Sequence, residues 1–366
     1  MKLRFVIFTL SLLFSCGPRF HQPLTDDLVT TVGFPVEKEW PKSLDKTAFE
    51  RLKKRAEEER TTALVLIHEG KLIHASNPLG KGHWNEPAFA MSVTKSIVAL
   101  ALGGMSDMGM LKLDEPLSRR VLPEWKDDPR SKITLRHMLN HTSGLDKKRA
   151  SEAARDGGQE NAVINLEDHG LRARLRTEVG STFEYNNQVA DFLSVVAKRA
   201  MPKGQAVRFD DYLQLTLFRS LGVIGAAWIK KDVSGDPFAA GELMMRPIDL
   251  AKIGQLVLDE GMWQGKRLLS KEWITEMVAQ GSPHKESYGL LWWRRGKRNP
   301  DKSLQAVWGY EANGYLGQYI LVVPEKRLVA VRMRDPRRAG FSEKKFNYET
   351  FKQDVFTMVG LSKSDE

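Results

Sequence analysis

Ser92 and Lys95 stand three residues apart in Ser92-Val93-Thr94-Lys95, ahead of the apolar run Ser96-Ile97-Val98-Ala99-Leu100-Ala101-Leu102. A hydroxyl and an amine at that spacing can act as a nucleophile with its own base. A helix turns once in about 3.6 residues, so positions i and i+3 share a face and the lysine amine reaches the serine hydroxyl. The serine then sits at the positive end of the helix. First-turn amides there lack intrahelical partners and favour the negative oxygen of a tetrahedral acyl intermediate. The pair Gly103-Gly104 reads as the stop of this helix. Taken alone the S-x-x-K pattern is cheap, and its weight depends on what accompanies it.

Two further signals lie downstream. Gly180-Ser181-Thr182-Phe183-Glu184-Tyr185-Asn186-Asn187 is a loop ending in good helix N-cap residues, and it opens into a helical stretch from Gln188 to Val196. It delivers Tyr185 and Asn187 from a loop tip. Ala312-Asn313-Gly314-Tyr315-Leu316-Gly317-Gln318 leads into a strand over Tyr319 to Val323 and, after Pro324-Glu325-Lys326, a second strand over Arg327 to Met333. The glycine lets a substrate approach the strand edge closely.

With these three segments the chain resembles the serine β-lactamase and penicillin-binding-protein superfamily. The resemblance is to the branch of class C β-lactamases, DD-peptidases, esterases and 6-aminohexanoate-dimer-hydrolase-like enzymes. That branch carries S-x-x-K, Y-x-N and a K-T-G or H-x-G strand, here Ser92 to Lys95, Tyr185-Asn186-Asn187 and Ala312-Asn313-Gly314. Ile133 to Leu145, containing His141-Thr142-Ser143-Gly144-Leu145, is similar to the family's HTSGL block. Arg246 to Gly254 and Tyr288 to Trp293 are similar to later blocks, so the likeness runs from about residue 60 to about residue 335. One position departs: Ala312 stands where the β-lactamases have lysine and many esterase and amide-hydrolase relatives have histidine. In the family that cation helps to hold a substrate carboxylate, and losing one partner of such a pair weakens binding by about 2–5 kcal/mol. Arg294, Arg295, Arg332 and Arg334 are the nearby sequence candidates to replace it.

The resemblance implies a mechanism. Ser92 attacks a carbonyl, and Lys95 and Tyr185 share the proton traffic, one taking the serine proton and the other supplying the leaving group. It leaves open which does which. Asn187 would hydrogen-bond substrate or orient Lys95, the backbone amides of Ser92 and Tyr315 would form the oxyanion hole, and Ala312, Asn313 and Gly314 would form the substrate-binding strand. Water would then hydrolyse the acyl-enzyme, with no metal and no cofactor. His137 and His141, four apart on a helical stretch, lack the glutamate of H-E-x-x-H and do not read as metal ligands. Trp292 and Trp293 read as core rather than as a substrate platform.

The elements that must position these residues follow the same reading. Met1-Lys2-Leu3-Arg4 and the short apolar run up to Ser15 read as a signal peptide, too brief to span a membrane as a helix. Leu13-Phe14-Ser15-Cys16 resembles a bacterial lipobox, which makes the chain's only cysteine a lipidation site and leaves no internal disulfide. Residues 16–43 read as a tether or an arm lying on the domain, and 44–366 as the hydrolase domain. Phe49, Leu52 and Ala56 form the narrow apolar stripe of a first helix within Asp45 to Arg60. A hairpin over Thr62 to Ile67 and Lys71 to Ala75, with further strands from about Ala306 onward, predicts an α+β fold. Its antiparallel sheet is built from both chain ends and flanked by helices, with an all-helical lobe over about Leu117 to Phe218. The segment Asp146 to Gly170 reads as a surface loop or a substrate-selecting lid.

The net charge is +10, and it becomes +8 when Lys2 and Arg4 leave with the signal. The basic residues are scattered among acids, so they read as a solvated surface without a nucleic-acid motif. The expectation is an exported, membrane-anchored lipoprotein of a bacterial envelope, periplasmic or at the cell surface. It would act as a serine hydrolase on small ester, amide or peptide substrates. A peptidoglycan DD-peptidase or β-lactamase is the second reading, and a non-catalytic cell-wall binding or sensor protein is the alternative of another class. The substrate and the oligomeric state are not legible here.

Overall fold

The computed structural model describes residues 33–148, 164–202, 208–340 and 348–361. The expected signal peptide, Cys16 and the tether up to residue 32 lie outside the described residues, as do residues 149–163 of the expected loop or lid.

The described chain opens with helix α1 (Lys46–Glu58), the hairpin strands β1 (Ala63–His68) and β2 (Lys71–Ser76), the short β3 (Ala88–Phe89) and helix α2 (Val93–Asp107). Helical and irregular segments follow, among them α3 (Leu135–Leu139) and α4 (Asn187–Ala200). Short strands β4 (Ala227–Trp228) and β5 (Leu243–Met245) precede helix α5 (Pro247–Leu258). A two-stranded turn of β6 (Met262–Trp263) and β7 (Lys266–Arg267) then leads to α6 (Lys271–Val278). The last elements are β8 (Trp293–Arg295), β9 (Gly309–Gly314), β10 (Gln318–Val323), β11 (Leu328–Met333) and α7 (Tyr348–Met358).

The main sheet runs β2-β1-β11-β10-β9-β8 with every pairing antiparallel. Its front hairpin and back strands meet where β1 pairs β11, Ala63 opposite Met333 through His68 opposite Leu328. Helices cover both faces, which explains why β1, β10 and β11 are buried along their whole length instead of alternating with polar residues. Val65, Ile67, Ile320, Val322, Val329 and Val331 pack in the core with α2 and α5. Leu64, Leu66, Tyr319, Leu321 and Ala330 pack on the other side with α1 and α7. This is the expected α+β fold. Helix α1 buries Ala48, Phe49, Leu52 and Ala56, and the Asp45 carboxylate accepts from the Ala48 amide at 3.0 Å, an N-cap worth about 1 kcal/mol.

Three expectations need correction. Helix α2 runs through Gly103-Gly104 to Asp107, because the glycines serve packing: a Cβ on Gly103 would lie 2.2 Å from Trp273 Nε1 of α6. His141 lies beyond α3, at φ +58°, so it is not four residues along a helix from His137. The back of the sheet begins at β8, before Ala306; three residues are too few to show a period of two.

Candidate active site

Ser92 is the N-cap of α2, and Met91 before it takes φ +50°, a left-handed step that turns the chain from β3 into the helix. One turn on, Lys95 is 1 % exposed. Its Nζ donates to Ser92 Oγ at 3.0 Å and to the Ala240 carbonyl oxygen at 2.5 Å. The Ala240 amide in turn donates to Oδ1 of the buried Asp191 on α4, at 2.8 Å. The spacing read from sequence therefore brings the Ser92 hydroxyl and the Lys95 amine together, and a backbone carbonyl 145 residues away fixes the amine from the other side.

Helix α4 brings Tyr185 and Asn187 to the same place. Asn186 is its N-cap, accepting from the Val189 amide at 3.1 Å and donating from Nδ2 to the Leu145 and Asp146 carbonyls at 3.0 Å each. Tyr185, just before the cap, sets its ring with the centroid 5.0 Å from Lys95 Nζ. The half-buried Trp293 lies nearly parallel to it, with centroids 6.4 Å apart. Asn187 opens the helix, and its buried Oδ1 has no hydrogen-bond partner among the described residues.

Behind Tyr185 the buried rings of His141 and Tyr288 complete the wall, with centroids 4.7 and 6.4 Å from the Tyr185 ring. Burial, with a smaller contribution from the Lys95 charge, pushes the His141 pKa down to about 3. Burial, and then the proximity of Tyr185, raises Tyr288 well above the ordinary phenol range. Both rings are neutral near pH 7.

On the opposite side β9 passes close to the entrance of α2. A Cβ on Gly314 would meet the Ala90 carbonyl oxygen at 2.6 Å and Met91 Cβ at 3.1 Å, so the strand reaches this close only with glycine. Tyr315 follows and is 49 % exposed. Among the described residues, neither the Ser92 amide nor the Tyr315 amide donates to a backbone carbonyl. Ala312 is buried in the core shared with α2. Asn313 points to the other face and donates to Glu311 Oε1 at 2.7 Å. Glu311 is fully buried; burial favours its neutral form, but Arg295 and Lys352 outweigh that and hold its carboxyl below the usual range.

Residues 49–335 match the family model described as Beta-lactamase. The chain belongs to the β-lactamase family. It is 24 % identical over 281 residues to 6-aminohexanoate-dimer hydrolase from Paenarthrobacter ureafaciens, covering 69 % of each chain. The octameric penicillin-binding protein homologue from Pyrococcus abyssi has a similar structure, with a TM-score of 0.63 at 18 % identity over 86 % of this chain and 77 % of that one. A hydrolase with promiscuous acyltransferase activity gives a TM-score of 0.66 at 16 % identity, over 86 % and 97 %. At those identities the structural likeness establishes the fold.

Within this β-lactamase-family serine hydrolase the four arginines named from sequence are all engaged in the fold. Arg295 donates to both Glu311 oxygens at 2.9 and 3.0 Å, and Arg294 to the Glu286 carbonyl at 2.6 Å. Arg332, fully buried, donates to the Gly317 carbonyl at 2.9 Å and to Thr61 Oγ1 at 2.8 Å. Arg334 reaches the Ala339 carbonyl at 3.3 Å. Of the two tryptophans, Trp292 is core, bonded to the Ser96 carbonyl, while Trp293 lines the site against expectation. Sequence reasoning missed Ala240 and Asp191: a backbone carbonyl has no residue signature, and an aspartate inside an apolar helix reads as surface.

Proposed function

We propose that this chain is an exported, lipid-anchored hydrolase that cleaves ester or amide bonds through a Ser92 acyl-enzyme. The observation that carries the reading is the 3.0 Å contact from Lys95 Nζ to Ser92 Oγ, at a site where the strand position opposite is a fully buried alanine. Nucleophile and base are in contact, and Ala312 offers no cation to a substrate carboxylate.

In its uncharged form Lys95 donates one N–H to Ala240 and turns its lone pair to the Ser92 hydroxyl. Ser92 Oγ attacks the substrate carbonyl carbon, its proton passes to Lys95, and the carbonyl oxygen takes up negative charge opposite the Ser92 and Tyr315 amides. When the intermediate collapses, the bond to the leaving alcohol or amine breaks. Tyr185 passes that group a proton and is reprotonated from Lys95. Water attacks the acyl-enzyme by the reverse proton path, which releases the acid and restores Ser92. Asn187, with a buried Oδ1 lacking a protein partner among the described residues, accepts a substrate N–H. The similarity to 6-aminohexanoate-dimer hydrolase, and over 152 residues at 33 % identity to esterase EstB from Burkholderia gladioli, supports small amide or ester substrates. Leu13-Phe14-Ser15-Cys16 supports attachment through a lipidated Cys16 in a bacterial envelope.

The test is turnover of p-nitrophenyl butyrate and of nitrocefin by the full chain in detergent, with Ser92→Ala as control. Ester cleavage that vanishes in the variant, without nitrocefin turnover, is the expected result. Nitrocefin turnover favours the β-lactamase reading, and ester cleavage surviving Ser92→Ala removes Ser92 as the nucleophile. Incorporation of labelled palmitate that disappears in Cys16→Ser tests the anchor.

A further inference from the structure

His141 is held in a conformation that costs free energy. It takes φ +58°, in the left-handed region that few residues other than glycine adopt, and it is 2 % exposed with Nε2 lacking any partner among the described residues. A phenylalanine would fill the same space without leaving a buried polar atom unpaired. What His141 supplies is visible around Tyr185. The His141 carbonyl accepts from the Glu184 amide at 2.9 Å, and its Nδ1 accepts from the Asn186 amide at 3.3 Å. These are the residues on either side of Tyr185. The imidazole ring itself packs on the Tyr185 ring.

We propose that His141 is a positioning residue for Tyr185, its carbonyl and Nδ1 clamping the backbone on both sides of the tyrosine. The inference rests on the acyl-enzyme reading above, in which Tyr185 moves the leaving-group proton. Nδ1 accepts only while its lone pair is free, and the burial that keeps the ring neutral secures this near pH 7. The proton of the neutral ring then lies on Nε2. Misplacing a proton donor by about 1 Å can cost on the order of 100-fold in rate.

Asparagine and glutamine separate the acceptor from mere filling. The substitution His141→Asn puts an amide oxygen near the place of Nδ1, and asparagine tolerates a positive φ, whereas glutamine carries its oxygen nearer the place of Nε2. The experiment measures kcat and KM of the full chain in detergent on methyl butyrate, whose alkoxide leaving group needs a proton. It compares His141→Asn, His141→Gln, Tyr185→Phe and the double variant His141→Gln/Tyr185→Phe. The expected result is a roughly 10- to 100-fold fall in kcat for His141→Gln with KM within about twofold, and recovery of most of it in His141→Asn. Adding His141→Gln to Tyr185→Phe is expected to cost little more, since the residue acts through the tyrosine. An Asn variant no better than Gln, unfolding of both variants, or losses that multiply in the double variant overturns the proposal. Turnover that survives Ser92→Ala, or wild type that does not turn over methyl butyrate, overturns instead the reading on which it rests, and the proposal with it.

Discussion

Lys95 Nζ lies 2.5 Å from the carbonyl oxygen of Ala240, closer than the 3.0 Å that separates it from Ser92 Oγ. The two contacts hold the amine from both sides, on the Ala240 carbonyl and on the Ser92 hydroxyl. The Ala240 peptide is held in turn by Asp191, which accepts from its amide. Asp191 thus sets the position of Lys95 through the backbone.

Asp191→Leu is expected to lower both stability and kcat, because it leaves the Ala240 amide buried without an acceptor. An unpaired buried amide costs about 1–3 kcal/mol. Asp191→Asn retains an oxygen at this place and is expected to keep most of both. Urea unfolding and ester turnover of the two variants check this; equal losses would show that the carboxylate charge, not the acceptor, is what matters.

Gly314→Ala tests how closely β9 approaches Ser92. The added Cβ would lie 2.6 Å from the Ala90 carbonyl oxygen, which itself accepts from the Val93 amide at the entrance of α2. The other near atoms are the Cβ atoms of Gln318 and Met91, at 3.0 and 3.1 Å, and neither is the far end of a flexible side chain, so the strand separates from Ser92 and the Tyr315 amide moves with it. The expected loss in kcat is on the order of 100-fold. Rapid labelling of Ser92 by a fluorophosphonate at the wild-type rate would contradict it.

The parts of the site built from local spacing were legible in the chain, and the parts built by long-range contacts were not. Ser92 and Lys95 meet because one helical turn brings them together, and Tyr185 and Asn187 arrive together because Asn186 caps a helix. Strand β9 was recognisable from its neighbour β10, whose apolar run is unmistakable. Ala240 reaches Lys95 across 145 residues through a carbonyl that every residue type possesses. Trp293 lines the site while Trp292 is buried, a distinction set by the direction of a three-residue strand. Gly103-Gly104 was misread because glycine marks helix ends and close helix packing alike.

Gly103→Ala separates those two roles of glycine. In an isolated helix alanine is favoured over glycine by about 1 kcal/mol. Here the new Cβ would overlap the buried Trp273 indole at 2.2 Å, and overpacking a core costs about 1–3 kcal/mol. The indole is large and enclosed, so packing is expected to win and the variant to unfold at lower urea concentration. Stabilisation would mean that α6 can shift at little cost.

The neutral His141 also sets a direction for acid stability. Its pKa is about 3 in the folded chain against an ordinary value of 6.5. Below pH 6.5 the unfolded chain takes up a proton on this residue while the folded chain does not, until pH approaches 3. The stability associated with the neutral ring is therefore complete above pH 6.5 and is lost progressively as pH falls from there toward 3. At pH 5 the expected loss is on the order of 2 kcal/mol. Other groups titrate in the same interval, so the measurement is a difference: urea unfolding at pH 7 and pH 5 for wild type and for His141→Asn, which has no titratable ring. Wild type is expected to lose more stability than the variant over this step. Equal losses would mean that the ring gains a proton in the folded state near pH 5, and Nδ1 could then no longer accept from Asn186 at that pH.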